Sequence, residues 1–224
     1  MQVLVFAPHP DDDVIGCGGS IAKHVAAGRA VDVVYLTSGN AGSITIDKDT
    51  LGGMRENEAA QAARHLGVRD LTFLRQDDGY LADTPALATT LIELIRKHRP
   101  DIAYVPHAQD RHPDHQTTHT LAVKAIGQAS GPHFQGARGE PWAVPTVLAY
   151  EVWTPIQRVQ YLEDVTDVVG RVRGALEFHQ SQLELLDYQA MKDGLAQYRG
   201  SVLGPNRRAE AFEIVTAPSS SFTQ

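Results

Sequence analysis

Two short stretches of this chain concentrate residues that could hold a metal ion and move protons. His9-Pro10-Asp11-Asp12-Asp13 follows directly on the apolar run Val3-Leu4-Val5-Phe6-Ala7. Further along, Asp110-Arg111-His112-Pro113-Asp114-His115 follows the strand-like Ile102-Ala103-Tyr104-Val105-Pro106. A buried strand that runs straight into an imidazole and several carboxylates aims charge at one spot. That is costly without a counter-charge, and a divalent cation is the usual one. Capping a helix start accounts for one or two such aspartates, but not for three and a histidine. A lone His112-x-x-His115 pair would fit a solvated loop equally well. Two strand ends that each deliver His and Asp imply one metal site built from both, and a metal hydrolase.

Other chemistry-bearing residues have plainer readings. Gly16-Cys17-Gly18-Gly19 lacks the last glycine of a dinucleotide fingerprint, because Ile21 stands in its place. The carboxylates just before it would also repel a pyrophosphate. Its small residues instead let a helix start press against a sheet. Cys17 lies among acidic residues that raise a thiol pKa, which suits packing rather than nucleophilic attack.

The elements that must position these residues alternate. Residues 2–7, 31–37, 71–74 and 102–106 read as strands, and 146–153 is strand-like. Helical patterns run over 15–27, 54–66, 85–98 and 116–129, and a helical stretch over 166–198 follows. Residues 38–53 and 131–145 have loop composition. This order predicts an α/β, Rossmann-like fold, with a mostly parallel sheet and helices on both faces. In such sheets ligands bind at the carboxyl ends of strands where the winding reverses. The first and fourth strands would flank that reversal, so both His/Asp clusters would meet in one crevice.

Composition sets the frame. At 224 residues, 42% hydrophobic and 21% charged, the chain fits one domain, residues 1–216, with a polar tail at 217–224. A net charge of −7 argues against nucleic-acid or anionic-membrane partners, which call for a basic patch. One cysteine excludes an intramolecular disulfide framework. No signal-peptide pattern and no membrane-length apolar run is present, so the expectation is a soluble, cytoplasmic protein. Homo-oligomerisation is left open.

The combination resembles the LmbE-like, or PIG-L, deacetylase family, whose motifs read (A/P)-H-P-D-D-(E/D) and H-P-D-H. Here they are Pro8-His9-Pro10-Asp11-Asp12-Asp13 and His112-Pro113-Asp114-His115. Gly16-Cys17-Gly18-Gly19 with Ile21-Ala22, and Arg55-Glu56-Asn57-Glu58-Ala59 closed by Gly67-Val68, are similar to the family's first two helices. Tyr150-Glu151-Val152-Trp153 and His179-Gln180-Ser181-Gln182 resemble its later landmarks, so the likeness spans about residues 1–185. One departure is Asp13, where the family more often has Glu.

The resemblance implies Zn²⁺ held by His9, Asp12 and His115, although such a His₂Asp set also accepts Fe²⁺ or Co²⁺. It implies Asp11 as general base and His112 as a protonated electrophile for the oxyanion. Asp114 would pair with His112 and raise its pKa. Arg55, Arg111 and Tyr188 become substrate-binding candidates, and His179 is either a support for the site or core packing. The implied activity is removal of acetyl from a small N-acetylglucosamine conjugate of the bacillithiol-precursor type. Chitin-disaccharide or other acyl-amide deacylation is the alternative on the same site. A non-catalytic sugar-binding protein is the alternative of another class, and it has no need of a base or an electrophile.

Overall fold

Residues 2–7 are apolar at every position but the first, and the strand they form, β1 (Gln2–Ala7), is buried on both faces. Alternation along it feeds two cores. Val3 and Val5 face one cluster with Val31, Val33 and Tyr35, while Leu4 and Phe6 face another with Val34 and Leu36. Burying a side chain such as Phe6 in full contributes about 2–3 kcal/mol relative to leaving it in water.

The computed structural model describes residues 1–134, 136–183 and 186–218. Of the polar tail expected at 217–224, residues 219–224 lie outside the described residues. The remaining strands are β2 (Ala30–Thr37), β3 (Asp70–Gln76), β4 (Ile102–Pro106), β5 (Thr146–Tyr150), β6 (Tyr161–Asp164) and β7 (Ala209–Thr216). Together they form a seven-stranded sheet in the order β3-β2-β1-β4-β5-β7-β6. The first five are parallel to one another, and β7 runs antiparallel to β5 and to β6. The winding reverses between β1 and β4, as expected.

Helices α1 (Asp12–Ala26), α2 (Lys48–Leu66) and α5 (Val169–Leu176) bury their apolar sides in the first core. Helices α3 (Pro85–His98) and α4 (Pro113–Ala129) do so in the second. The shorter α6 (Gln180–Leu183) and α7 (Tyr188–Gly200) follow. Among the described residues no helix is long and apolar enough to cross a membrane.

Three departures from the sequence expectation matter for the site. First, α1 and α4 begin three residues earlier than expected, which places Asp12, Asp13, Asp114 and His115 in first helical turns. Second, α2 starts at Lys48, not at residue 54, because Asp47 caps it by accepting from the Thr50 N–H at 3.0 Å. Its Gly52 lies so close to Ser38 and Asn40 that a Cβ there would stand 3.3 Å from Asn40 Cβ.

Third, the C-terminal region is not one helix. It breaks into a 3₁₀ turn over Thr166–Val168 and the short α5, α6 and α7, and it is flanked by two strands, β6 and β7, that the periodicity hid. The glutamates at 210 and 213 mask the apolar positions of β7, and Glu210 is buried for a specific reason. α1 is kinked at Cys17 (φ −142°, ψ 24°), which frees N–H groups of its second half. The Glu210 carboxylate accepts from the Gly19 and Ser20 N–H groups, both at 2.8 Å, from Ser20 Oγ at 2.7 Å and from Lys192 Nζ at 2.7 Å. At Gly16 a Cβ would lie 2.2 Å from the ring of Tyr150, whose hydroxyl donates to the Phe6 carbonyl at 2.8 Å. The Gly16-x-Gly-Gly run is thus explained by close packing against the sheet.

Candidate active site

The tight turn after β1 creates the site's central geometry. Both the Asp11 and Asp12 N–H groups reach back to the His9 carbonyl, at 3.0 and 3.3 Å. Asp11 sits at φ 157°, ψ −26°, a conformation that costs an L-residue about 1–3 kcal/mol and persists only where its surroundings over-determine it. One restraint is Arg55 from α2, whose Nη2 lies 3.0 Å from Asp11 Oδ2 and also donates to the Pro10 carbonyl. Arg55 Nη1 donates to the Gly39 carbonyl at 2.8 Å, and the loop closes so tightly that a Cβ on Gly39 (φ +63°) would overlap the guanidinium. Arg55 is only 4% exposed, so it is no surface arginine.

Beside this pair, His9, Asp12 and His115 each offer a ligand atom within 4.8 Å of the others, and all three are buried. Asp12 Oδ2 stands 3.0 Å from His9 Nδ1 and 3.2 Å from His115 Nε2. A tetrahedral ion with bonds of about 2.0–2.1 Å sets its ligand atoms about 3.3 Å apart. Both nitrogens of His115 are buried without a hydrogen-bond partner, since its approach to Asp12 lacks hydrogen-bond geometry. Asp110 Oδ1 lies 3.7 Å from Nδ1, beyond hydrogen-bond reach. These observations fit a divalent cation. A second set, His9, His112 and Asp114, is also close enough. It is the poorer one, because backbone N–H groups engage three of its atoms, Asp114 N–H on His112 Nδ1 and Gly79 and Leu81 N–H on the two Asp114 oxygens, against one in the first set, His9 N–H on Asp12 Oδ2.

Charge around His9 supports the same reading. Its Nε2 faces Asp78 Oδ1 at 3.0 Å and Asp114 Oδ2 at 3.2 Å. Burial alone would lower the imidazole pKa, but hydrogen bonds to Asp114, Asp12 and Asp78 raise it well above normal. Burial likewise pushes Asp12 up, yet His115 and His9 overcome it and hold Asp12 well below the usual carboxylate range. The cluster carries an excess of carboxylate that a cation would offset.

Asp11 differs from its neighbours. Burial raises its pKa to about 6 against the opposing pull of Arg55. It stands outside the His9–Asp12–His115 group and opens on a cleft of about 300 Å³ lined also by His9, Asp12, Asp78, His112 and Tyr188. Asp13 is buried beneath Tyr35 with its carboxyl pushed up to about 7 by burial, and it takes no part in the cleft.

Two expectations are corrected. Asp114 does not pair with His112; its carboxylate turns to His9 and to the Gly79 and Leu81 N–H groups. His112 is instead the N-cap of α4, with Nδ1 accepting from the Asp114 N–H at 3.2 Å. Its pKa is lowered, by burial first and then by His9 and His115. With Nδ1 accepting, Nε2 is the ring nitrogen left to donate. Arg111, in turn, is exposed and not part of the lining. Its N–H donates to Thr154 Oγ1, and its guanidinium lies 5.8 Å from the Trp153 ring centre.

Tyr188 does line the cleft, and burial beside Asp11 pushes its phenol well up. His179 is fully buried with neither nitrogen paired, and its pKa is lowered to about 3 by burial and by Arg55. Sequence reasoning missed Asp78, Trp153 and Gln182 in the lining. It also left Asp110 without a role, although Asp110 accepts from the His112, Trp153 and Thr154 N–H groups at 2.9, 2.9 and 3.2 Å and so ties the two loops of the site together.

Comparison with known proteins identifies the family. The family model PIG-L, described as GlcNAc-PI de-N-acetylase, matches residues 4–126. A 1D-myo-inositol 2-acetamido-2-deoxy-alpha-D-glucopyranoside deacetylase of Streptomyces scabiei is 28% identical, over 100% of this chain and 92% of its own length. The diacetylchitobiose deacetylase of Thermococcus kodakarensis is 31% identical, over 96% of this chain and 83% of its own. The crystal structure of the conserved protein TT1542 from Thermus thermophilus superposes with a TM-score of 0.86 at 31% identity, covering 99% and 98% of the two chains. Two of the relatives above are named deacetylases, and with both motifs at adjoining strand ends and a family match over more than half its length, the chain belongs to the PIG-L family.

Proposed function

We propose that this protein is a metal-dependent N-deacetylase acting on a small N-acetylglucosamine conjugate. The observation that carries the reading is Asp11. It neighbours the metal-ligand set without belonging to it, is held by a buried arginine, and opens on the cleft. A pure sugar-binding protein has no use for such a group. The relatives named as deacetylases of glucosaminyl compounds support the substrate class.

A Zn²⁺ ion held by His9, Asp12 and His115 would polarise the acyl carbonyl and lower the pKa of water towards about 7. Asp11 takes the proton from water as its oxygen bonds to the carbonyl carbon. As the C–N bond breaks, Asp11 returns that proton to the amine nitrogen, leaving acetate and a free amine. His112, neutral and with its outer nitrogen protonated, donates a hydrogen bond to the oxygen that gains charge. Asp78 and Asp114 hold His9 from its far side, as partners of ligating histidines do. Asp78 and Gln182, which line the cleft, offer polar groups to the sugar.

For a bacillithiol-precursor type of substrate, the exposed Arg111 is the free cation beside the lining among the described residues, with its guanidinium 5.8 Å from the ring centre of Trp153. The Thermococcus relative favours a second sugar as aglycone. Cytoplasmic placement is supported by the single, buried Cys17, which needs no oxidising compartment. The test is amine release from a panel of N-acetylglucosamine conjugates by the zinc-loaded protein. Asp11→Asn should keep its metal and lose about 10²- to 10⁴-fold in kcat. Full activity in that variant would remove Asp11 from the reaction.

A further inference from the structure

Asp110, four residues beyond β4, is fully buried and holds its place through the backbone alone. Its Oδ2 accepts two N–H groups, from Trp153 at 2.9 Å and Thr154 at 3.2 Å. Its Oδ1 accepts one, from His112 at 2.9 Å. Each carboxylate oxygen has two lone-pair sites. Among the described residues, then, Oδ2 is filled and Oδ1 keeps one acceptor position. That oxygen is the one turned to His115, 3.7 Å from its Nδ1.

His115 needs such a partner. The ring is fully buried, and neither nitrogen makes a hydrogen bond. A neutral imidazole carries its proton on one nitrogen and a lone pair on the other. Nε2 faces Asp12 Oδ2 at 3.2 Å, within the ligand set, so a ligand role there requires its lone pair free and the proton on Nδ1. The opposite tautomer would set the Nδ1 lone pair against the Asp110 oxygen, which is repulsive. A ring shift of about 0.7–0.8 Å brings Nδ1–H to an ordinary hydrogen-bond length from Oδ1. Three backbone donors fix the carboxylate, so the ring is the part that adjusts.

We infer that Asp110 is the positioning residue of His115. It takes the Nδ1 proton and so leaves the Nε2 lone pair aimed at the metal. This rests on the His9–Asp12–His115 reading above. His9 has Asp78 and Asp114 behind its Nε2, and Asp110 would complete the same arrangement for the second ligand histidine. Such partners are worth about 10- to 100-fold in metal affinity.

Two measurements test the assignment. In the zinc-loaded parent, nitrogen-15 NMR of the histidine rings should find His115 protonated at Nδ1 and metal-bound at Nε2, with the Nδ1 proton slow to exchange with water. Asp110→Asn exchanges the anion for an amide of the same shape. Competition with a chromophoric chelator should then find the zinc Kd raised about 10- to 100-fold, and the Nδ1 proton should exchange faster. A tie between loops, with no bond to the ring, would move neither readout. His115 bound through Nδ1 in the parent overturns the inference and leaves the deacetylase reading standing. So does a zinc Kd in Asp110→Asn within about twofold of the parent's, whether or not KM rises. Should that variant fail to fold, the tautomer and exchange rate in the parent decide. A parent that binds no zinc sinks both readings.

Discussion

Replacing Arg55 by Gln separates two roles for this residue, a contact for the sugar and a counter-charge for Asp11. The guanidinium and carboxylate are 3.0 Å apart and almost fully buried. An arginine at that distance lowers a carboxyl pKa by about 1–3 units. Its loss should therefore move Asp11 upward by that amount from a value already raised to about 6. A general base acts only when ionised, so activity is present above its pKa and is lost as pH falls through it. The acidic limb of kcat/KM should move up by about 1–3 units. For a two-unit move, the ionised fraction at pH 7 drops about tenfold, while near pH 9 the variant recovers to within about twofold of the parent. The assay is a profile of kcat/KM on an N-acetylglucosamine conjugate from about pH 5 to about pH 9, with metal content measured on the same samples. A loss of similar size at every pH, carried by KM with the limb unmoved, would falsify the counter-charge role and restore the sugar contact.

Three further outcomes follow from the geometry. His115→Ala removes one of three ligands, so elemental analysis should find metal reduced to a small fraction of one equivalent per chain; full occupancy would rule out the His9–Asp12–His115 set. Glu210→Gln strips the charged acceptor from three donors of the kinked α1 and leaves Lys192 unpaired, which should cost about 3 kcal/mol, or about 6–12 °C in Tm by thermal unfolding; an unchanged Tm contradicts the capping role. His24 is held neutral, its pKa lowered from 6.5 to about 4 by burial and by Arg29, so this contribution is present above pH 6.5 and is lost as pH falls towards about 4. The loss is about 2–3 kcal/mol, and denaturant titrations of His24→Gln should show a flatter decline across that window than the parent does.

Much of the fold was legible because its signals are local. The β-branched run of β2, Pro85 at the start of α3 and Gly67 (φ +81°) ending α2 each mark an element by its own chemistry. What stayed hidden depends on distant partners. β7 reads poorly because Glu210 occupies an inward position, and that is favourable only because the kink at Cys17 supplies donors from the other end of the chain. The early start of α2 needed Asp47 recognised as a cap inside a stretch of loop composition. Within the site, Asp78 carried no motif and looked like any turn aspartate; it matters because the β3–α3 connection brings it to His9. Arg55 was singled out by position as a substrate contact, but its burial and its partner Asp11 were not in the sequence pattern.

The motifs reveal which residue types meet, while each carboxylate's task comes from what faces it. Asp12 faces two imidazoles that hold its pKa well below the usual carboxylate range, which suits the ligand role proposed for it. Asp11, one residue away, faces a guanidinium and the cleft, and its pKa near 6 suits proton transfer near neutrality. Asp13 faces the core and Tyr35, where ionisation is resisted. Asp110 and Asp114 accept backbone N–H groups and so fix loops, with Asp114 also turned to a ligand histidine. The same logic decides His112. Placed at the N-cap of α4, it must accept through Nδ1, so its outer nitrogen is a donor that carries no net charge. A neutral donor does not lose its proton in the range where an imidazolium would. No basic limb near neutrality should then come from His112, and His112→Gln, which keeps a donor, should lower kcat without moving either limb of the pH profile. A limb displaced in that variant would mean that His112 titrates during turnover after all.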